Sequence, residues 1–383
     1  MKILFLNSWY PNRSNDTLGN FVEKHIEAIA QNVDAYTCSI FSSDTVKEIT
    51  TIESQKGKVK ELHIYYPKPK QILFFKIFYS LYYLLKSYRL VYRYYKSKRV
   101  TFNLIHVNVA FPIGLLAIWL KSKLKVPYVV TEHSTSYSKK GSNLPFYQKV
   151  VAQLVFKNAS HILPVSSDLK NAIERLGVTT PQTVVPNVVD VHLFELKENL
   201  QSSSIKFIHI STLNEQQKNI SGILKVFSKL MLANKLIELT IVSDGSIEKA
   251  KELADALQIP ASQLHFIGKS TATEIAGYLK QNDALVLFSN YENFPCVIPE
   301  SFAVGTPVIS SNVNGIPEYV NNSNGILVEP LNEEQLKVAI LSIVNNKSQF
   351  DALTLRNYAI SKFSYEAVGE HVFEIYKACL NVS

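Results

Sequence analysis

The chain has 383 residues, 46% hydrophobic and 19% charged, which is enough for two domains with full cores and excludes a disordered protein. Three scattered cysteines, Cys38, Cys296 and Cys379, offer no metal-ligand spacing and predict a reducing compartment. The formal charge of +8 is uneven: residues 1–190 hold 25 Lys/Arg and 12 Asp/Glu, residues 191–383 hold 15 and 20, so the first half calls for an anionic partner.

The start of the chain has one short apolar run, Ile3 to Leu6, too short for a signal peptide and suited to a first strand. Further strands are predicted at 35–41, 104–107, 128–131 and 161–165, with helical periods near 20–31, 72–98, 112–124, 146–158 and 167–176. The uncharged stretch from Leu104 to Leu120 carries His106, Asn108 and Pro112, so it divides into a strand and a helix and does not span a membrane. A cytoplasmic protein is expected.

Pro186-Asn187 ends this alternation, and the polar stretch from Lys197 to Ser204 reads as a linker. The scheme then repeats, with strands at 206–211, 237–243, 264–267, 284–288, 307–310 and 325–328. Helices are expected at 219–232, 246–258, 273–281, 297–304, 332–346, 349–360 and 364–380. Strand–helix alternation means a parallel sheet covered on both faces. The expected architecture is therefore α/β: two doubly wound, Rossmann-like domains facing each other across a cleft. Their boundaries fall at 1–190 and 205–363, with 191–204 between them and a last helix, 364–383, that can pack back on the first domain.

The segment from Tyr291 to Val320 carries the most chemistry. An apolar run, Ala284 to Phe288, leads into a loop with Glu292, a turn Asn293-Phe294-Pro295, and a helix start that holds Glu300. In open α/β sheets ligands sit at the carboxyl ends of strands, where helix N-termini present amides to phosphates. Two carboxylates there can accept hydrogen bonds from sugar hydroxyls. The combination predicts a ligand that is part phosphate and part polyol. The bland alternative, two solvated surface glutamates, fits poorly with an acid that directly follows a buried strand. Val313-Asn314-Gly315-Ile316-Pro317-Glu318 reads as a turn into a short helix that supports this wall.

At these residues the sequence resembles glycosyltransferase family 4, retaining enzymes of the GT-B fold. The donor-site signature is matched by Glu292, Phe294 and Glu300. Nearly the whole chain follows the family in order, through TEHST, ILPVSSDLKNAIERLG, VVPNVVDVHLF, ISTLNEQQKNISGILKVF, LTIVSDGS, FIGKSTATEIAGYL and NGILVEP. The resemblance implies that Glu300 binds the nucleotide ribose and Glu292 the donor sugar. It implies that amides around Asn293, Phe294, Cys296 and Val297 face the diphosphate or sugar, Pro295 having no N–H. Lys218 would neutralise the diphosphate, with Thr212 nearby. Gly19 and Asn20 would let the backbone approach the phosphates from the other domain. His133 would lie near the transferred sugar, completing a catalytic set with Lys218 and Glu292, and His106, at the end of strand 104–107, is either near the acceptor or simply a core residue. The chain departs from the family in having no Arg or Lys between Lys206 and Lys218, and Pro295 where a glycine is common. No Asp-x-Asp triplet occurs, and neither a metal nor a cofactor is expected.

Residues 71–99 form a basic, aromatic segment. Leu81, Leu85, Tyr88, Tyr92 and Tyr95 make one helical stripe, and Lys86, Arg89, Arg93 and Lys96 another beside it. Cations flanking an aromatic face suit a helix on an anionic bilayer. The plain reading is a helix packed on the sheet with solvated cations, and both are expected to hold in part. Nucleic acid is not expected, since no recognised binding motif is present. The resulting expectation is a retaining, metal-independent glycosyltransferase, peripheral on the inner membrane face. It would move sugar from a UDP-sugar, in preference to a GDP-sugar, to a saccharide or lipid-linked saccharide in bacterial surface polysaccharide or lipopolysaccharide assembly. The alternatives are a UDP-sugar epimerase of the same fold and a non-catalytic sugar- or lipid-binding protein.

Overall fold

The computed structural model describes residues 1–68, 73–137, 144–198, 203–233 and 236–381, without the side chains of 73–77. The chain divides into two compact units: Met1–Val165, Leu169–Pro186 and Tyr365–Ser383 form the first, Ser166–Asp168 and Asn187–Ser364 the second.

The first unit is built on strands β1 (Lys2–Asn7), β2 (Asp34–Ser43), β3 (Thr50–Lys56), β4 (Val59–Pro67), β5 (Leu104–Asn108), β6 (Tyr128–Glu132) and β7 (His161–Pro164). They form one sheet in the order β3-β4-β2-β1-β5-β6-β7, parallel except for the β3–β4 hairpin. That hairpin was not expected from the sequence. Every residue of β3 except Ile52 is exposed, so the strand has no apolar alternation to announce it.

Helices α1 (Asn20–Ile29), α2 (Leu73–Ser97), α3 (Gly114–Leu124), α4 (Phe146–Asn158) and α5 (Ser167–Glu174) connect these strands. Side chains alternate across a strand. Leu4, Leu6, Ile105 and Val107 share a core with Val91 of α2, Leu116 of α3, Val155 of α4 and Leu169 of α5.

Helix α2 is longer than the sheet beneath it. Its 25 residues span about 37 Å at 1.5 Å per residue, whereas β2 and β4, the strands it packs on, have ten and nine residues and reach about 30–33 Å. The expected single stripe therefore splits. Tyr88 and Tyr95 enter the core, while Leu81 (49% exposed) and Leu85 (47%) do not, and Phe78 and Tyr82 beside them are each 57% exposed. Residues 71 and 72 of the basic segment lie outside the described residues.

The second unit has strands β8 (Ile205–Ile210), β9 (Ile237–Val242), β10 (Leu264–Ile267), β11 (Ala284–Leu287), β12 (Val308–Ser311) and β13 (Gly325–Val328). They form an all-parallel sheet in the order β10-β9-β8-β11-β12-β13. Its helices are α6 (Glu215–Lys218), α7 (Ile220–Ala233), α8 (Glu248–Ala256), α9 (Ala272–Lys280), α10 (Val297–Ala303), α11 (Glu333–Asn345) and α12 (Ala352–Phe363). The strands are apolar on both faces, as a covered parallel sheet requires.

The stretch expected as a linker is largely part of this unit. Val191 and Phe194 are buried in its core. The Arg356 guanidinium donates to the carbonyls of Val191 (3.0 Å), Phe194 (2.8 Å) and Ala303 (2.7 Å). The Lys197 amide donates to the Val304 carbonyl at 3.0 Å. Three carbonyls converging on one half-buried cation hold the chain where composition alone suggested a linker. Residues 199–202 of the stretch lie outside the described residues.

The last helix, α13 (Tyr365–Leu380), belongs to the first unit and packs on α1, where Gly369 lies against the Ala28 carbonyl. His106, expected near an acceptor, is instead a buried clasp for this helix. One ring nitrogen shares a hydrogen bond with the Tyr376 hydroxyl and the other with the Thr131 hydroxyl (2.7 Å). With both nitrogens engaged inside the core it has nothing left for a ligand. Burial, with a smaller contribution from His25, pushes its pKa down to about 3.

The folded ring thus refuses a proton that the unfolded chain takes up below about 6.5. Its contribution to stability is whole above that pH and is lost as pH falls toward 3. Urea midpoints of wild type and His106→Gln at pH 7.5 and pH 5 are expected to show a larger acid loss in the wild type. Tyr376→Phe, which leaves one buried nitrogen without its partner, is expected to cost about 1–3 kcal/mol at pH 7.5.

Candidate functional site

In the second unit, the chain leaves β8 through Ser211-Thr212-Leu213-Asn214 and enters the single turn of α6. His209, wholly buried, sets this exit. Its Nδ1 donates to the Val286 carbonyl (2.8 Å), so its Nε2 accepts from the Ser211 hydroxyl (2.7 Å). The Ser211 oxygen in turn accepts from the Leu213 amide at 3.1 Å. Burial lowers the His209 pKa to about 4, which keeps the ring neutral and able to accept. Asn214 caps α6, accepting from the Gln217 amide at 3.1 Å. Asn219, at φ 51°, turns the chain into α7.

This turn aims Lys218 at the loop after β11. Lys218 Nζ and Glu292 Oε1 form a buried ion pair, with side chains 12% and 6% exposed. Gln217 Nε2 donates to the other carboxylate oxygen at 3.2 Å. The Glu292 amide donates to Asn314 Oδ1 at 3.0 Å. Asn290 ties the two loops together: its amide donates to the Gln217 carbonyl (2.7 Å) and its Nδ2 to the Gln216 carbonyl (2.9 Å).

Phe294 is buried, its ring 4.4 Å from that of Tyr319 and 5.4 Å from that of Phe363. Its carbonyl accepts from Asn187 Nδ2 at 2.6 Å. Asn293 precedes it and is also buried, and Pro295 follows and leads to Cys296, the residue before α10. Val297 opens that helix and Glu300 lies in its first turn, buried. The first amides of a helix have no acceptor within it; here the Ile298 amide is taken by the Pro295 carbonyl at 3.1 Å, and the helix start at Val297 lies at the end of the strand that delivers Glu292. The second unit therefore gathers Lys218, Glu292, Asn293, Phe294, Pro295, Cys296, Val297 and Glu300 around the carboxyl ends of β8 and β11, and Thr212 lies in the same loop system.

In the first unit, Gly19 precedes α1 at φ 68°, and a Cβ there would come within 2.6 Å of the Trp9 carbonyl carbon. Both the left-handed backbone and the close approach call for glycine, through contact with its own loop. Asn20 follows, exposed, its amide donating to the Thr17 carbonyl at 3.2 Å. His133 leaves β6 and lies against this helix, 4.6 Å from the Phe21 ring and 5.1 Å from that of His25. Gly19, Asn20 and His133 therefore share one locality.

The residue before His133 is one that sequence reading missed. Glu132 is wholly buried and accepts from the amides of His133 (2.9 Å), Ser134 (2.9 Å) and Ala110 (3.0 Å). Burial pushes its carboxyl up to about 7, against the amides that pull it down. Lys86, Arg89, Arg93 and Lys96 are all exposed on α2. Among the described residues no cluster of three or more His, Cys, Asp or Glu is placed to hold a metal ion, and no helix is long and apolar enough to cross a membrane.

Other residues missed from sequence are Gln217, Asn290, Asn187 and His209. Each is a neutral polar residue with a partner 70 or more positions away, so no local pattern marks them. A signal existed only at Asn314-Gly315, where a Cβ on Gly315 would run into the Asn293 carbonyl.

Comparison with known proteins gives the family and the fold. Residues 194–361 match the family of glycosyl transferases group 1, and residues 47–193 match glycosyltransferase family 4. An uncharacterized glycosyltransferase of Methanocaldococcus jannaschii is 24% identical over 98% of both chains. The alpha-monoglucosyldiacylglycerol synthase of Streptococcus pneumoniae is 26% identical over 73% of this chain and 67% of its own. Among solved structures, the Anabaena protein HepE in complex with UDP superposes with a TM-score of 0.74 at 17% identity, over 99% of this chain and all of that one. This chain belongs to the family-4, group-1 glycosyltransferases, and its two Rossmann-like units are those of the GT-B fold.

Gly19→Ala and Gly315→Ala are each expected to lower unfolding stability by about 1–3 kcal/mol in urea titrations. Gly268→Ala, where a Cβ meets nothing within 4 Å, should stay within about 0.5 kcal/mol of wild type.

Proposed function

We propose that this glycosyltransferase moves a sugar from a nucleoside diphosphate sugar, a UDP-sugar in preference to a GDP-sugar, to a saccharide or lipid-linked saccharide. The observation that carries the proposal is the buried Lys218–Glu292 pair beside the Glu300-bearing helix start. Lys218 is the cation for the diphosphate, Glu292 the acceptor for sugar hydroxyls, and Glu300 the acceptor for ribose hydroxyls. UDP in the complex of HepE supports the choice of nucleotide. The relative named as a monoglucosyldiacylglycerol synthase supports a lipid-linked acceptor.

The chemistry follows from charge. As the bond from the sugar to the diphosphate breaks, negative charge grows on the leaving phosphate oxygen. A fixed ammonium and oriented amides stabilise that charge more in the transition state than in the ground state. Lys218 is held in place by Glu292 and can exchange that carboxylate for phosphate with little movement. Gln217, on the second oxygen, keeps Glu292 oriented when Lys218 turns away. The acceptor hydroxyl attacks from the face the diphosphate leaves, and its proton passes to the departing phosphate oxygen, so configuration is retained. Glu292 is a positioning group and forms no covalent intermediate. No metal takes part in this scheme. The arginine common upstream in the family is absent, and leaving-group stabilisation rests on Lys218 and the amides near Cys296 and Val297.

The second part of the proposal concerns place. Exposed Phe78, Leu81, Tyr82 and Leu85 share the outer side of α2 with Lys86, Arg89 and Arg93, which suits a helix lying on an anionic membrane. Such a position fits assembly of bacterial surface polysaccharide or lipopolysaccharide from the inner membrane face.

Lys218→Ala is expected to lower kcat by about 10²–10³-fold, and Glu300→Ala to act mainly on the donor KM. Both are measured as nucleoside diphosphate release with and without acceptor, with folding checked by circular dichroism. Unchanged turnover in Lys218→Ala defeats the scheme, and epimerised donor without acceptor would point to the epimerase instead. In flotation with anionic liposomes, Lys86→Glu/Arg89→Glu/Arg93→Glu should stay in the soluble fraction while wild type floats; equal flotation removes the membrane proposal.

A further inference from the structure

Between the C-terminal halves of α2 and α3 lies a cavity of about 290 Å³. Val91, Tyr95, Phe102, Leu120 and Leu124 wall it, with Leu4 of β1 at its base. The chain shapes one end deliberately. Helix α2 stops when the amides of Lys98 and Arg99 bond back to the carbonyls of Tyr94 and Lys96. Arg99 takes φ 54°, and the amide of Val100 returns to the Tyr95 carbonyl. This left-handed stop turns Phe102 inward as a wall and leaves Arg99 exposed at the mouth.

The mouth is cationic. Lys96 and Arg99 both line it, and among the described residues neither forms an ion pair, whereas Lys98 between them is matched by Glu53 at 3.3 Å. In sequence, between Glu61 and Asp168 the only carboxylate is Glu132, which is wholly buried and bonded to backbone amides, and Glu53, the acid that reaches this end of α2 from β3, is engaged by Lys98. A free small anion gains nothing from apolar walls. An uncharged apolar molecule gains nothing from the cations. A single acyl chain on an anionic head uses both, and at roughly 30 Å³ per water-sized group the cavity takes about ten chain atoms.

We propose that this cavity is a binding site for one acyl chain of an anionic lipid, with the head held by Lys96 and Arg99. It is separate from the membrane-facing row of Phe78 to Arg93. Binding of a monomeric amphiphile here does not depend on the protein reaching a membrane, nor on the donor site of the second unit.

The test uses the full chain and a ten-carbon lysophosphatidylglycerol below its micelle concentration. Thermal unfolding and the fluorescence of Trp119, which packs on Tyr92 across α2 and α3, report binding. Wild type is expected to gain several degrees as ligand exceeds its Kd. Ten-carbon lysophosphatidylcholine, with no net charge, should bind more weakly by about tenfold or more, and inorganic phosphate should give no shift. Leu124→Trp fills the cavity and should abolish binding while its own unfolding remains cooperative. Lys96→Glu/Arg99→Glu, which leaves the walls intact, should lose the preference for the anionic head. Arg89→Glu/Arg93→Glu should bind the monomeric lipid as wild type does even where liposome flotation is lost. No shift in wild type, an equal shift in Leu124→Trp, an equal shift with phosphate alone, or loss of monomer binding in Arg89→Glu/Arg93→Glu would each overturn the proposal.

Discussion

A carboxylate buried at the end of a parallel strand has to be met by donors from neighbouring loops, and much of this protein is arranged around two of them. Glu292 follows β11 and is met by Lys218, by Gln217 and, at its own amide, by Asn314. Glu132 ends β6 and is met by three backbone amides. Taking a charge out of water costs several kcal/mol, and leaving one buried partner unmatched costs about 3–5 kcal/mol. Each acid therefore dictates the path of the loops around it. The exit from β8, the one-turn helix α6 and the Asn290 stitches all serve to bring Lys218 and Gln217 to one carboxylate. In the first unit the amides that satisfy Glu132 belong to His133 and Ser134 on one loop and Ala110 on another.

The two acids are matched differently, and the difference suits different work. Glu132 is fixed by amides that cannot leave without unfolding their loops, so it behaves as an anchor that sets the direction of His133. Glu292 is fixed by a flexible lysine and an amide side chain, partners that can be exchanged. A group that must release a cation to a ligand needs such partners. His209 belongs with Glu132 in this respect, since both of its nitrogens hold the framework of a loop and neither is offered outward.

The first unit shows a second constraint, that of length. A helix of 25 residues outruns the ten- and nine-residue strands β2 and β4 beneath it, so part of α2 overhangs. The overhang carries Phe78, Leu81, Tyr82 and Leu85, and the covered part carries Tyr88, Val91 and Tyr95. The covered part also meets α3 imperfectly, and the cavity walled by Leu120 and Leu124 is the result.

The sequence by itself determined the two doubly wound units, because buried parallel strands must be continuous apolar runs and the helices between them must be amphipathic. It also determined the locality of Glu292, Phe294 and Glu300, since strand ends and helix starts can be read from short patterns, whereas Lys218 was singled out through the family resemblance. The β3–β4 hairpin escaped because an exposed edge strand has no apolar period. The sequence left His106 open between the acceptor side and the core because a histidine at a strand end looks the same whether it faces a ligand or a tyrosine 270 residues away. The start of the expected linker, 191–204, looked like a tether because the cation that binds the Val191 and Phe194 carbonyls, Arg356, lies far along the chain. Only the tertiary structure decided which carboxylate each donor meets and which half of α2 is left uncovered. Hydrogen-bond partners distant in sequence leave no periodic trace, and burial depends on what packs above a residue as much as on the residue itself.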